Sequence, residues 1–166
     1  MEPNILSQSK FTTMQESNIE VTVAEIDISY KTQIKISSRP ILKRPEDVYK
    51  VFLQTWDISK IELVEQFKVM LLNQANRVLG ICTLSSGGRT GTVADPRQVF
   101  AVALIANAVQ IVIAHNHPSG SIQPSKADEE MTQKMKVAGS YLEIKVLDHI
   151  IVTQEGYYSF ADEGLL

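Results

Sequence analysis

The chain has 166 residues, 44% of them apolar, which suits one domain built around one core. A formal charge of −3 excludes a protein that wraps nucleic acid non-specifically, because that affinity comes from lysine and arginine neutralising phosphates. The single cysteine, Cys82, excludes a disulfide framework and a cysteine-rich zinc finger, and no segment reaches the ~18–20 continuous apolar residues of a membrane span.

Residues 1–18 are polar and aperiodic and read as a loose tail, and "MEPNILSQSKF" has no basic stretch leading into an apolar run, so it is no secretory signal. Residues 19–37 alternate apolar and polar side chains, ending on Ile34 and Ile36, and read as strand. Residues 37–45 carry two prolines and read as a linker. Pro45 and the acids after it open a helix over 46–56, with Val48, Val51, Phe52 and Trp56 as its apolar stripe. "QFKVMLLN" (66–73) and "VLGICTLS" (78–85) flank a turn and read as a hairpin, followed by a flexible glycine-rich loop that borders a cleft. Asp95 and Pro96 cap and start a helix over 96–108, apolar around most of its circumference and therefore expected to be buried. "VQIVIA" (109–114) reads as a central strand, 126–142 as a helix, and 144–153 and 157–160 as strands. Strands and helices interleave, which indicates an α/β or α+β sandwich around a mixed sheet.

The central strand delivers the chain to His115. In extended backbone, residues two apart point to one side, so the rings of His115 and His117 can converge on one ion. The letters H-N-H do not make a nuclease, whose histidines and asparagine are spread along a ββα element. Pro118 and Gly120 turn the chain, and Asp128 falls in the first turn of the next helix, within reach of the same point. Two histidines and one carboxylate leave a fourth position of a zinc ion open, as in catalytic sites. Zinc lowers the pKa of bound water from about 15.7 to about 7. A general base is still required. Glu65, at the start of a strand, is preferred, with Glu62 as the fallback. Ser125 and Asp128 also read as a helix capping box. His149 reads as a core histidine bonded to a neighbour, Cys82 as a small buried residue, and Met131 and Met135 as core. "GGRTG" lacks the lysine and hydroxyl of a phosphate-binding loop.

His115-x-His117-Pro118 followed by Ser125-x-x-Asp128, with Glu65 upstream, resembles the JAMM (MPN+) zinc metallopeptidase motif. "GTVADPRQVF", "IAHNHPSGSIQPSKAD", "VLDHIIV" and "YYSFADEGLL" resemble the RadC branch of bacterial JAB-domain proteins, over roughly residues 40–166. The resemblance implies an α/β fold of JAB/MPN type, a sandwich with a mixed β-sheet flanked by helices and an architecture like that of cytidine deaminases. The Cys-x-x-Cys and His-x-Glu of a zinc deaminase are absent. Residues 1–40 are then a tail and strand extension, and 41–166 the JAB/MPN+ domain. Longer RadC proteins carry a helix-hairpin-helix region first, and the first 40 residues are too short for one, so a bare domain is expected. The resemblance makes His115, His117 and Asp128 the ligands of Zn2+, Glu65 the proton carrier and Ser125 the oxyanion donor.

The leading expectation is a cytoplasmic zinc-dependent hydrolase of amide bonds, acting on a peptide or protein substrate, with no membrane partner. The alternative is a DNA-associated factor in repair or mobile-element biology. Lys31, Lys35, Arg39, Lys43 and Arg44 would form its contact strip, and their favoured reading is as solvated linker charges.

Overall fold

The computed structural model describes residues 11–14, 21–24, 32–87 and 94–166. Two short strands, β1 (Phe11–Met14) and β2 (Val21–Ala24), pair antiparallel. The expectation of a loose tail over 1–18 is therefore corrected at β1, whose backbone pairs with β2 from Phe11 opposite Ala24 to Met14 opposite Val21. The strand expected over 19–37 is corrected at its far end. Ile36–Ser38 form a 3-10 turn closed by Ser38 N–H to Lys35 O at 3.0 Å, and Ile34 and Ile36 are exposed. Alternation without a partner strand does not make a sheet. The proline-rich stretch after it is docked: Leu42 is buried, and Ile41 bridges to Arg77.

Helix α1 (Pro45–Thr55) begins at Pro45, and Asp47 Oδ2 accepts from the Lys43 and Arg44 backbone N–H groups at 3.1 Å each. A short helix, α2 (Ile58–Ile61), follows under an Asp57 cap. The expected hairpin is present as β3 (Gln66–Leu72) and β4 (Val78–Ser86), so the first residues of the expected glycine-rich loop belong to β4. The rest of that loop, 88–93, lies outside the described residues.

Helix α3 (Pro96–Ile105) starts where Asp95 Oδ1 accepts from Arg97 N–H at 2.9 Å. It is shorter and less buried than expected. Only Val99, Phe100 and Ala103 are buried, and Leu104 and Ile105 face outward. Asn107 takes φ 51°, and the N–H groups of Asn107 and Ala108 turn back to the carbonyls of Leu104 and Ala103. That is the left-handed closure that ends a helix, with asparagine in the place glycine often takes.

β5 (Gln110–Asn116), α4 (Lys126–Tyr141) and β6 (Lys145–Val152) form a parallel crossover, and β7 (Tyr157–Ser159) closes the edge. The five strands run in the order β4-β3-β5-β6-β7, so β5 is central, antiparallel to β3 and parallel to β6. This is the expected mixed α/β sheet flanked by helices. One face buries Ile111, Ile113, Val99, Phe100 and Met135 beneath α3 and α4, and the other buries Val112, Ala114, Phe52 and Trp56 beneath α1. Successive side chains of β5 therefore serve opposite layers. Among the described residues no helix is long and apolar enough to cross a membrane.

Candidate metal centre

β5 runs two residues further than its apolar run. His115 is inside the strand and only 1% exposed, on the α4 face with Ile111 and Ile113. Pro118 and Gly120 (φ 77°) then turn the chain, and Gly120 N–H donates to His117 O at 3.0 Å. After the loop, Ser125 caps α4, and Asp128 sits in its first turn. The structure brings His115, His117 and Asp128 together, each offering a ligand atom within 4.8 Å of the others. His115 Nε2 lies 3.3 Å from Asp128 Oδ1 and 3.0 Å from His117 Nε2. His117 Nε2 lies 3.8 Å from Asp128 Oδ2.

Each group is held from behind. His117 Nδ1 is 2.8 Å from the Ser121 carbonyl, which only accepts, so Nδ1 carries a proton and Nε2 is the atom turned to the cluster. Asp128 Oδ2 accepts from Ser125 N–H and from Ser125 Oγ, both at 2.7 Å, leaving Oδ1 toward His115. Cap and cluster, which the sequence offered as alternatives, are thus one arrangement: one carboxylate oxygen closes the capping box and the other faces His115. Burial holds the His115 imidazole down to about 4, against the attraction of Asp128, which raises it, and His117 lowers it further. The ring is neutral at pH 7. Two imidazole nitrogens and a carboxylate converging on one point make a set of ligand atoms that suits a cation.

His149, expected as a core histidine bonded to a neighbour, is fully buried with its Nε2 2.8 Å from His115 Nδ1 and its Nδ1 2.6 Å from Thr132 Oγ1. Thr132 was not singled out in the sequence, although it lies one turn from Asp128 on α4. Asn116 was also missed. It is buried on the opposite face of β5, accepting from Gln66 N–H at 2.7 Å and donating to Ile61 O at 2.6 Å and Val64 O at 2.9 Å.

The two glutamates stand differently. Phe67 pairs with His115 across β3 and β5, and Glu65 immediately precedes the first residue of β3. Glu65 is half-buried, and its carbonyl accepts from Gly87 N–H at 2.8 Å. Glu62 is exposed at the end of α2 and lines a polar cleft of about 370 Å³ beside His117, with Pro118, Gly120, Thr153 and Glu155. In the basic strip, Arg39 is buried and Arg44 pairs with Glu46 at 3.7 Å, so the two share no open face; Lys31 lies outside the described residues. Cys82 is half-buried against the α3/α4 cluster.

The RadC-like JAB domain family matches residues 42–165 of this chain. A UPF0758 protein of Flavobacterium johnsoniae is 48% identical over 101 residues, covering 61% of this chain and 44% of that protein. A UPF0758 protein of Rubrobacter xylanophilus is 36% identical over 152 residues, 91% of this chain and 65% of the relative. A third, from Symbiobacterium thermophilum, is 45% identical over 103 residues, 62% of this chain and 44% of its own length. The chain thus spans about half to two thirds of the relatives it matches.

Proposed function

The chain belongs to the RadC-like JAB domain family, and from that premise we propose that it is a zinc-dependent hydrolase of amide bonds, peptide or isopeptide, in a peptide or protein substrate. The observation that carries the reading is the convergence of His115, His117 and Asp128, with the far nitrogen or oxygen of each already occupied by a protein partner. Two imidazoles and a carboxylate fit zinc better than calcium or magnesium, which favour all-oxygen sites. The single thiol suits a reducing compartment such as the cytoplasm.

His115, His117 and Asp128 would hold the ion. Zinc in such a site supplies a Lewis acid and brings water's pKa down to about 7. Glu65 would accept the proton of the attacking water and return it to the leaving amide nitrogen, a transfer that needs a carboxylate within hydrogen-bond reach of both. Its half-buried place at the head of β3, the strand paired with the one that carries His115, favours it over the exposed Glu62. Ser125 would turn its hydroxyl from Asp128 to the substrate's developing oxyanion, an interaction worth roughly 2.7–4 kcal/mol in comparable sites. The cleft lined by Glu62 and Glu155 would receive the substrate segment next to the scissile bond.

Metal analysis of the purified protein beside His117→Ala tests the ion: about one zinc per chain is expected in the first and none in the variant. Hydrolysis of a peptide and an isopeptide library then compares wild type with Glu65→Gln and Glu62→Gln. Loss of turnover in Glu65→Gln alone, with zinc retained, supports the assignment. Full turnover in Glu65→Gln removes it.

A further inference from the structure

We propose that His149 is a positioning residue that fixes the proton of His115 on Nδ1, through a buried chain of hydrogen bonds starting at the backbone carbonyl of Asp128. The inference deepens the metal reading and rests on it for its consequence.

Thr132 Oγ1 lies 2.6 Å from Asp128 O and 2.6 Å from His149 Nδ1. The carbonyl can only accept, so the hydroxyl proton points to it. Oγ1 therefore meets His149 as an acceptor, and His149 Nδ1 must carry a proton. The His149 ring is fully buried, stacked on Phe160 with centroids 4.5 Å apart and beside Phe67. No ion pair joins it to a carboxylate among the described residues, so a charge on the ring would stand uncompensated in an apolar seat, and the ring is neutral there. A neutral ring protonated on Nδ1 is bare on Nε2, which then accepts from His115 Nδ1–H at 2.8 Å. With its proton held on Nδ1, His115 is left to offer Nε2, the atom that faces Asp128 Oδ1 and His117 Nε2.

Every proton in the chain is thus dictated by one carbonyl, and the chain begins and ends on candidate ligands. The backbone of Asp128 sets the tautomer of His115, while its carboxylate shares the site with that ring. The chemistry of the partner matters as well. A carboxylate behind His115 would raise the ligand's basicity and add a negative charge. A neutral imidazole orients the ring without that charge, leaving Asp128 as the one anion of the cluster and the bound ion correspondingly electrophilic.

The test is long-range 1H–15N correlation on the full chain with 15N-labelled histidine, with and without zinc, beside zinc affinities measured by chelator competition. The expected spectrum shows His149 protonated on Nδ1 and bare on Nε2, and His115 protonated on Nδ1. A proton on His149 Nε2 overturns the inference whether or not zinc binds. Wild-type protein that takes up no zinc instead defeats the metal reading, and the His149 tautomer still decides the chain. His149→Phe, which keeps the stack on Phe160, is expected to weaken zinc by about 10–100-fold. His149→Gln, whose side-chain oxygen can accept from His115, is expected to recover most of it. Unchanged affinity in folded His149→Phe counts against the positioning role.

Discussion

The backbone N–H of Gln66 donates to Oδ1 of Asn116 at 2.7 Å, across 50 residues of sequence. Asn116 sits between the two candidate ligand histidines but points to the other layer, where its amide also ties down the carbonyls of Ile61 and Val64. One side chain thereby fastens the segment that carries both glutamates to the strand that carries His115. Asn116→Leu would leave a buried N–H and two carbonyls without partners, at about 1–3 kcal/mol for each buried group left unpaired. A loss of about 3 kcal/mol in urea unfolding is expected, with zinc retained and turnover reduced as Glu65 drifts. A change below about 0.5 kcal/mol would remove the clamp from consideration.

The cap that Ser125 forms on α4 and the oxyanion role proposed for it can be separated by substitution. Ser125→Ala removes the cap of α4, which costs about 0.5–2 kcal/mol, whereas glycine at an N-cap costs only a few tenths. Ser125→Gly is therefore expected to melt close to wild type and still lose about 100–1,000-fold in turnover through the missing oxyanion donor. Thermal melts and rates on the same preparations check both. Turnover that follows stability across the two variants would leave Ser125 as a cap only.

The zinc-free protein should become less stable as acid is added. Burial holds His115 down to about 4 in the folded chain, against about 6.5 unfolded. Above about 6.5 both states are neutral at this ring and it contributes no pH dependence. Below that the unfolded chain takes the proton first, so stability falls with pH until the folded ring titrates near 4, by roughly 3 kcal/mol. His149, also lowered by burial, acts in the same direction. Asp148 is raised by burial and acts in the opposite one, favouring the folded state just above the ordinary carboxylate range. Denaturation midpoints between pH 4 and 7 measure the sum. A flat profile would mean the rings are not held neutral.

Gly139 has no room for a side chain. A Cβ there would run into the carbonyl of Ile144 and the ring of Phe100. The close approach comes from the end of α4, where Glu143 takes φ 55° and Ile144 N–H returns to Gly139 O at 2.9 Å. Gly139→Ala is expected to cost about 1–3 kcal/mol in spite of alanine's better helix propensity. A stabilised variant would show that the helix end gives way freely.

The candidate ligands were legible because their cues are local. An apolar run delivers His115, a proline-glycine turn follows, and a serine cap fixes where Asp128 begins its helix. What escaped was non-local. Phe11–Met14 has no periodicity of its own and becomes a strand only through its partner. Ile34 and Ile36 alternate but find none, and their stretch turns instead. The outer end of α3 is apolar by composition, yet Leu104 and Ile105 face away from the sheet, which composition does not reveal. Asn116 and Thr132 look like ordinary polar residues until the layers are known. Each completes a bond to a segment that folding alone brings near.

His115, His117, Asp128, Thr132 and His149 all lie on the single crossover from β5 through α4 to β6, whereas Glu65 arrives on the neighbouring hairpin. Ion capture and proton handling are therefore separately breakable. On the proposed function, a lesion in the hairpin would yield a protein that still holds its ion but does no work, a decoy that a metal assay alone would pass as intact. A lesion in the crossover removes the ion and strands the glutamate.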